Sequence, residues 1–173
     1  MQQAREVNVT GQQLLITKLH VNVRSLHLRY DMDNQLPVDK FVDIYQQLNS
    51  SNLDLLSDIY ADNIQFIDPM HEINGIESLR DYFANLYSNV KHCQFDITDS
   101  FGINNNAFVY WTMHYSHPKL ASGKTISVQG HSKLIFDNDK IVKHRDYFNV
   151  GELLYKHIPI LGSVVSYIDK RAG

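Results

Sequence analysis

Ile64-Gln65-Phe66-Ile67-Asp68-Pro69 is a short run of mostly apolar residues that ends in a carboxylate and a proline. Side chains alternate across a strand, so Phe66 and Asp68 share one face. The pattern returns later in the chain as Lys143-His144-Arg145-Asp146-Tyr147-Phe148, where His144, Asp146 and Phe148 share a face. If both faces are the inner ones, two carboxyl groups stand among aromatic rings. Burial without a partner favours the neutral form of a carboxyl group, which makes such a residue a candidate proton carrier. A plainer reading stands beside this one, because an Asp before Pro is also a common turn or helix-cap residue.

Upstream of the first strand, Phe41, Ile44, Tyr45 and Leu48 recur at helical spacing after Pro37, and a second short helix is expected from Leu53 to Tyr60. Downstream come a loop, His71 to Gly75, and a helix with Ile76, Leu79, Tyr82, Phe83, Leu86 and Tyr87 on one broad apolar face. Four strands follow, Cys93 to Phe101, Ala107 to His117, Lys124 to Phe136 and Lys140 to Asn149, broken at Asn104-Asn105-Asn106, Pro118 to Gly123 and Asn138-Asp139. Such connections make them sequential antiparallel neighbours. Helices followed by strands are the α+β layout, with helices packed on one face of a curved sheet.

The chain has 173 residues, 43% hydrophobic and 20% charged, which suits one domain with a real core. Residues 1–36 read as an N-terminal arm: Leu15, Thr17, Leu19, Val21 and Val23 alternate with more polar neighbours, as in an added edge strand. The arm is either peripheral to the domain or not native to it. A net charge of −3 offers no basic field for a nucleic-acid backbone. The single cysteine, Cys93, excludes an internal disulfide, and no signal peptide or membrane-spanning run is evident, so the expected compartment is the cytoplasm.

Tyr60-Ala61-Asp62-Asn63, then Phe66-Ile67-Asp68-Pro69, then Gly75 opening a helix, then long strands ending in Arg145-Asp146-Tyr147-Phe148, resemble the nuclear transport factor 2-like superfamily, in particular its SnoaL-like branch. The resemblance covers about residues 37–150 and implies a cone of curved sheet closed by helices around an apolar pocket. Among the enzymes of the superfamily, ketosteroid isomerase places an Asp base where this chain has Asp68. Its oxyanion groups do not carry over, since the corresponding positions hold Ile44, beside Tyr45, and Ser132; this argues against steroid isomerisation by that mechanism. The chain is similar to limonene-epoxide hydrolase at Gly123-Lys124 and at Arg145-Asp146-Tyr147-Phe148, with Asp146 on a catalytic aspartate. The Arg and second Asp of that triad fall on Met113 and Tyr115, which argues against the same route of epoxide opening. SnoaL-like polyketide cyclases use an Asp as acid/base, a role open to Asp68 or Asp146.

These matches and strand parity together give a candidate site. Asp68, Asp146 and His144 are the catalytic candidates, with Asp68 ranked first as proton carrier. Phe66, Trp111, Met113, Tyr115, Val128, Gly130, Ser132, Phe148 and His71 are the expected lining of a pocket for an apolar small molecule. Gly130, Ser132 and two acids leave the interior too polar and too thinly filled for a sealed core. No metal site is expected, because His114 and His117 lie three apart on a strand and face opposite ways, and no cofactor is called for. The outward faces carrying Thr112, His114, His131, Lys133 and Arg145 are the expected homodimer contact. The tail, 151–173, carries two apolar segments around Pro159 and Gly162; packing of helices over the cavity mouth or the sheet is favoured over contact with a membrane surface.

The reading of the sequence is therefore an α+β cone with a small-molecule pocket. Its chemistry would be acid/base work, as isomerase, cyclase or hydrolase, on an apolar carbonyl or polycyclic compound. The alternative is a non-catalytic ligand-binding or protein-interaction module, since one fold hosts both.

Overall fold

A computed structural model of the chain describes residues 37–172, so the expected strand within the 1–36 arm lies outside the described residues. Helix α1 runs through residues 37–47 and turns Val38, Phe41 and Tyr45 inward, with Leu48 buried just beyond its end. One 3-10 turn, Leu53–Leu55, leads into α2, Leu56–Ile59, and strand β1 starts at once, Tyr60–Ile67. The segment from Tyr60 to Asn63 is thus strand, with the pairing register slipping between Tyr60 and Gln65.

The expected loop at 71–75 contains a strand, β2, Glu72–Asn74, paired antiparallel with the end of β1. Three residues are too few to show alternation, so only the hydrogen bonds across the turn reveal it. Helix α3, Ile76–Asn89, buries Ile76, Leu79 and Phe83. Strands β3 (His92–Ile103), β4 (Asn106–Ser116), β5 (Thr125–Asp137) and β6 (Lys140–Phe148) form the antiparallel meander that their connections predict. Asn104 and Asn138 take positive φ, 54° and 52°, at two tight connections; Asn tolerates that region better than most residues.

The sheet order is β2-β1-β6-β5-β4-β3, with β1 and β6 parallel and all other neighbours antiparallel. This α+β cone wraps its concave side around α1, α2 and α3. Completely buried Phe41, Leu56, Ile64, Leu79 and Leu134 fill the core, each contributing about 1.5–3 kcal/mol by burial.

Cross-strand register stacks the inward residues in layers. Val109, Ser132 and Asp146 form one; Trp111, Gly130 and Phe148 form the next; Met113 with Val128, then Tyr115 with Ile126, continue to the mouth. Behind Asp146, His144 lies beside Leu134 on one side and Phe66 on the other.

The tail comprises α4 (Val150–Leu153), a 3-10 turn (Tyr155–His157) and α5 (Leu161–Ala172). Asn149 caps α4 by accepting from the backbone N–H of Gly151 at 2.8 Å. The Tyr115 hydroxyl donates to the Leu153 carbonyl and ties the tail to the mouth. The expected packing holds for Leu153, which joins the cluster of Tyr115, Ile126 and Val128. It does not hold for α5, whose one substantial contact among the described residues is with the 3-10 turn before it. There Gly162 is essential, because a Cβ would come within 2.3 Å of the Lys156 carbonyl oxygen. Among the described residues no helix is long and apolar enough to cross a membrane.

Candidate functional site

Strand β6 places His144 at the centre of an aromatic box. Its ring centroid lies 4.8 Å from Phe66, 5.7 Å from Phe41, 5.9 Å from Tyr60 and 6.0 Å from Tyr45. The side chain is completely buried, so both ring nitrogens need partners from the protein. They have them: Nδ1 meets the Tyr60 hydroxyl at 2.6 Å, and Nε2 meets Asp146 Oδ1 at 2.7 Å. With Asp146 as a carboxylate, Nε2 carries the proton and donates, and Nδ1 accepts from Tyr60.

The chain of bonds continues across the sheet. Ser132 Oγ donates to the same Asp146 Oδ1 at 2.5 Å, and Trp111 Nε1 donates to Ser132 Oγ at 2.9 Å. Both interactions on Asp146 fall on Oδ1. Among the described residues Oδ2 has no hydrogen-bond partner, and the side chain is 12% exposed. The Tyr60 phenol is pushed well above its ordinary value, first by burial and then by the negative charge of Asp146. Neighbouring Tyr45 is raised likewise, by burial first and then by Tyr60. Tyr60 therefore remains a donor.

Asp68 is bonded on both oxygens. Oδ1 accepts from the backbone N–H of Met70 at 2.6 Å and of His71 at 2.7 Å, while Oδ2 accepts from the Tyr82 hydroxyl at 2.6 Å. The His71 ring lies 3.2 Å from both oxygens. The side chain is 3% exposed. Burial first, then the bond to Asp68, push the Tyr82 phenol far above its ordinary value. The geometry is that of a turn-closing aspartate, with the Asp68 N–H also donating to the His71 carbonyl at 3.0 Å.

A cavity of about 280 Å³ opens at the cone mouth. Its wall includes Met70, Leu86, Cys93, Met113, Tyr115 and Leu153, so of the expected lining residues Met113 and Tyr115 reach it and Asp68, Asp146 and His144 do not. The Trp111–Phe148 layer, with ring centroids 6.2 Å apart, lies between the mouth layers and Asp146. Gly130 does not thin the interior as its composition suggested. A Cβ there would stand 2.3 Å from the Trp111 ring, so the missing side chain is the space the indole fills. Phe66, Val128 and Ser132 are buried behind or beside that layer, and His71 is half-exposed beyond Asp68. Burial raises the Cys93 thiol in the wall to about 12, and burial first, then Cys93, raises Tyr115 to about 12.

The sequence reading missed Tyr60 and Tyr82 as site residues, assigning the first to a helix end and the second to a core face. A signal existed for Tyr60, because it ends a segment whose next buried positions are Ile64 and Phe66. Exposed Asp62 and Asn63, in the stretch where the pairing register slips, interrupt the alternation between Tyr60 and Ile64. Among the described residues no group of three or more His, Cys, Asp or Glu side chains could hold a metal ion.

Comparison with solved structures returns the same cone. The chain is similar to a protein named as a SnoaL-like polyketide cyclase from Jannaschia sp. CCS1, with a TM-score of 0.62 and 11% identity over 72% of this chain and 91% of that one. It is also similar to a protein with a ketosteroid isomerase-like fold from Catenulispora acidiphila DSM 44928, solved with trimethylamine, with a TM-score of 0.60 and 13% identity over 68% and 88% of the two chains. A nuclear transport factor 2-like protein from Burkholderia pseudomallei K96243 matches with a TM-score of 0.61 and 12% identity over 70% and 95%. Identities this low establish a shared fold. No curated protein matches the sequence. The model of the SnoaL-like domain family matches residues 38–144, from α1 to the buried histidine of β6, and the chain belongs to that family.

Proposed function

We propose that this protein binds a small apolar molecule at the cone mouth and performs acid/base chemistry on it with Asp146. The observation that carries this reading is the lopsided bonding of the carboxylate: His144 and Ser132 hold Oδ1, and no described residue bonds Oδ2. A carboxylate anchored through one oxygen keeps the lone pairs of the other for a proton, taken from carbon next to a carbonyl or from water. The Tyr60–His144 pair behind it fixes its direction. Returning that proton to another atom of the substrate completes an isomerisation or a cyclisation. The cavity, at the small end of the range for ligand sites, ends one layer short of Asp146. The reactive end of the substrate must therefore pass Phe148.

A second reading, a ligand-binding module without chemistry, draws support from the cavity wall, which includes no carboxyl group. Pairing of two copies through the outer sheet face is part of the proposal. Tyr110, His131 and Tyr147 stack across that face, with centroids 5.4 and 4.8 Å apart, and Arg145 lies over Tyr147.

The test is a thermal-shift screen of apolar carbonyl and polycyclic compounds, followed by turnover assays on wild type, Asp146→Asn and Asp68→Asn. The expected compound binds all three proteins and is converted by wild type and Asp68→Asn. Binding to all with conversion by none leaves the module reading, and loss of turnover only in Asp68→Asn returns the catalytic role to Asp68.

A further inference from the structure

Trp111 belongs both to the layer that closes the cavity and to the bonds behind it. Its ring stands with Phe148 between the mouth and Asp146, and the residue is 4% exposed. Three neighbours confine it. Gly130, opposite on β5, has no Cβ to collide with the ring; Phe95 meets it edge-on, with centroids 5.3 Å apart and planes at 81°; and Nε1 donates to Ser132 Oγ at 2.9 Å. An indole confined in this way has one direction for its N–H.

That N–H decides where the next hydrogen goes. An indole nitrogen donates and never accepts, while a serine hydroxyl has a single hydrogen to give. With one lone pair of Oγ taken by Trp111, the hydrogen of the completely buried Ser132 hydroxyl goes to Asp146 Oδ1, 2.5 Å away. The second route to this carboxylate is built the same way. Tyr60 donates to His144 Nδ1 and so leaves the ring hydrogen on Nε2, directed at the same Oδ1. Two hydrogens therefore fill the two lone-pair sites of Oδ1, and a proton taken from a substrate goes to Oδ2.

We propose that Trp111 is a positioning residue for Asp146: through Ser132 it keeps Oδ1 occupied and so fixes Oδ2 as the oxygen that exchanges protons with a substrate. It reaches the carboxylate only through Ser132, so loss of its N–H weakens proton transfer and not binding. Were Trp111 only a wall of the passage, the bulk of its ring would matter and its N–H would not. The proposal deepens the acid/base reading of Asp146 and rests on it for the effect on turnover; the bonding itself is tested without a substrate.

The chain has one tryptophan, so a nitrogen-15 NMR spectrum of the full protein contains a single indole N–H signal. In wild type this hydrogen should exchange slowly with heavy water. Its signal should move in Ser132→Ala and in Asp146→Asn, which remove the acceptor and the charge at the end of the chain, and stay in place in Asp68→Asn. On a compound that wild type converts, Trp111→Phe should lower kcat about tenfold, the worth of one hydrogen bond, with KM within about twofold of wild type. In the Ser132→Ala background the same change should cost almost nothing more, because the route is already cut. Melting curves establish that each variant is folded, and the wild-type and Asp146→Asn spectra decide the matter if Trp111→Phe is not. An indole signal indifferent to Asp146→Asn overturns the proposal. So does a Trp111→Phe protein that loses affinity with kcat unchanged, or losses that add in the double variant; each of these leaves Asp146 as the acid/base group. If wild type converts no compound, the acid/base reading falls, and the indole signal alone sustains or overturns the role of Trp111 in holding Asp146.

Discussion

The turn after β1 and the middle of β6 each present an aspartate to the inside of the cone, and the two are built for different work. Asp68 receives two backbone N–H groups and the Tyr82 hydroxyl, and these occupy both of its oxygens. Asp146 receives His144 and Ser132 on one oxygen and nothing from the described residues on the other. The first carboxylate consumes its lone pairs in closing a turn; the second keeps some for a ligand. An inward carboxylate is therefore not enough to mark an acid/base group. What distinguishes the two is how many of their acceptor sites the protein itself fills.

The strongest way to break this comparison is turnover. On a substrate found by screening, Asp146→Asn should lower kcat about 100- to 10,000-fold, the usual worth of a positioned proton-transfer group, while Asp68→Asn should lose far less. Equal losses would erase the distinction. Folding stability should show the opposite ranking for Asp68. Asp68→Ala strands two turn N–H groups and the partly buried Tyr82 hydroxyl, and should cost about 2–4 kcal/mol in urea unfolding. A cost under about 0.5 kcal/mol, the level of an ordinary surface substitution, would mean that the turn does not depend on it.

The tyrosines that serve the two carboxylates sharpen the comparison through pH. Tyr60 behind Asp146 and Tyr82 on Asp68 both have values raised in the folded state, by burial first. A raised value means the stabilisation is fully present below the unfolded tyrosine value near 10 and is lost as the pH climbs above it. Each of these tyrosines should remove about 1.4 kcal/mol per pH unit above that point. Urea midpoints measured at pH 9, 10 and 11 should fall accordingly, and Tyr82→Phe should flatten the slope by one residue's share. An unchanged slope would mean that Tyr82 ionises freely in the folded protein. The smallest effect concerns the cavity. With its thiol raised to about 12, Cys93 should react with iodoacetamide more slowly than a free thiol at pH 8, and a bound apolar ligand should slow it further. Ligand binding without that protection would move the ligand elsewhere.

Much of the fold was legible because its signals are local. Phe41 and Tyr45 recur at helical spacing, the Asn-rich connections bound the long strands, and the family resemblance placed Met113 and Tyr115 inside, with alternation adding Trp111. Strand β2 was not legible, since three residues carry no period, and the exposed face of α5 was not, since an apolar stripe does not say what it packs against. Gly130 is the instructive misreading. From composition it looked like missing volume, yet in the cone it is the platform on which the Trp111 ring rests.

The sequence by itself determined which side chains of a strand share a face, because the two-residue repeat fixes the direction of each one from its neighbours along the chain. Alternation puts His144 and Asp146 on one face, and the family resemblance marks the faces of Asp146 and Ser132 as the inner ones. Which oxygen of which aspartate remains free was decided only by the tertiary structure. The Tyr60–His144 bond joins positions 84 residues apart, and Tyr82 reaches Asp68 from a helix 14 residues on. Such pairings depend on how β1 meets β6 and how α3 lies over the turn, and no local pattern records that packing.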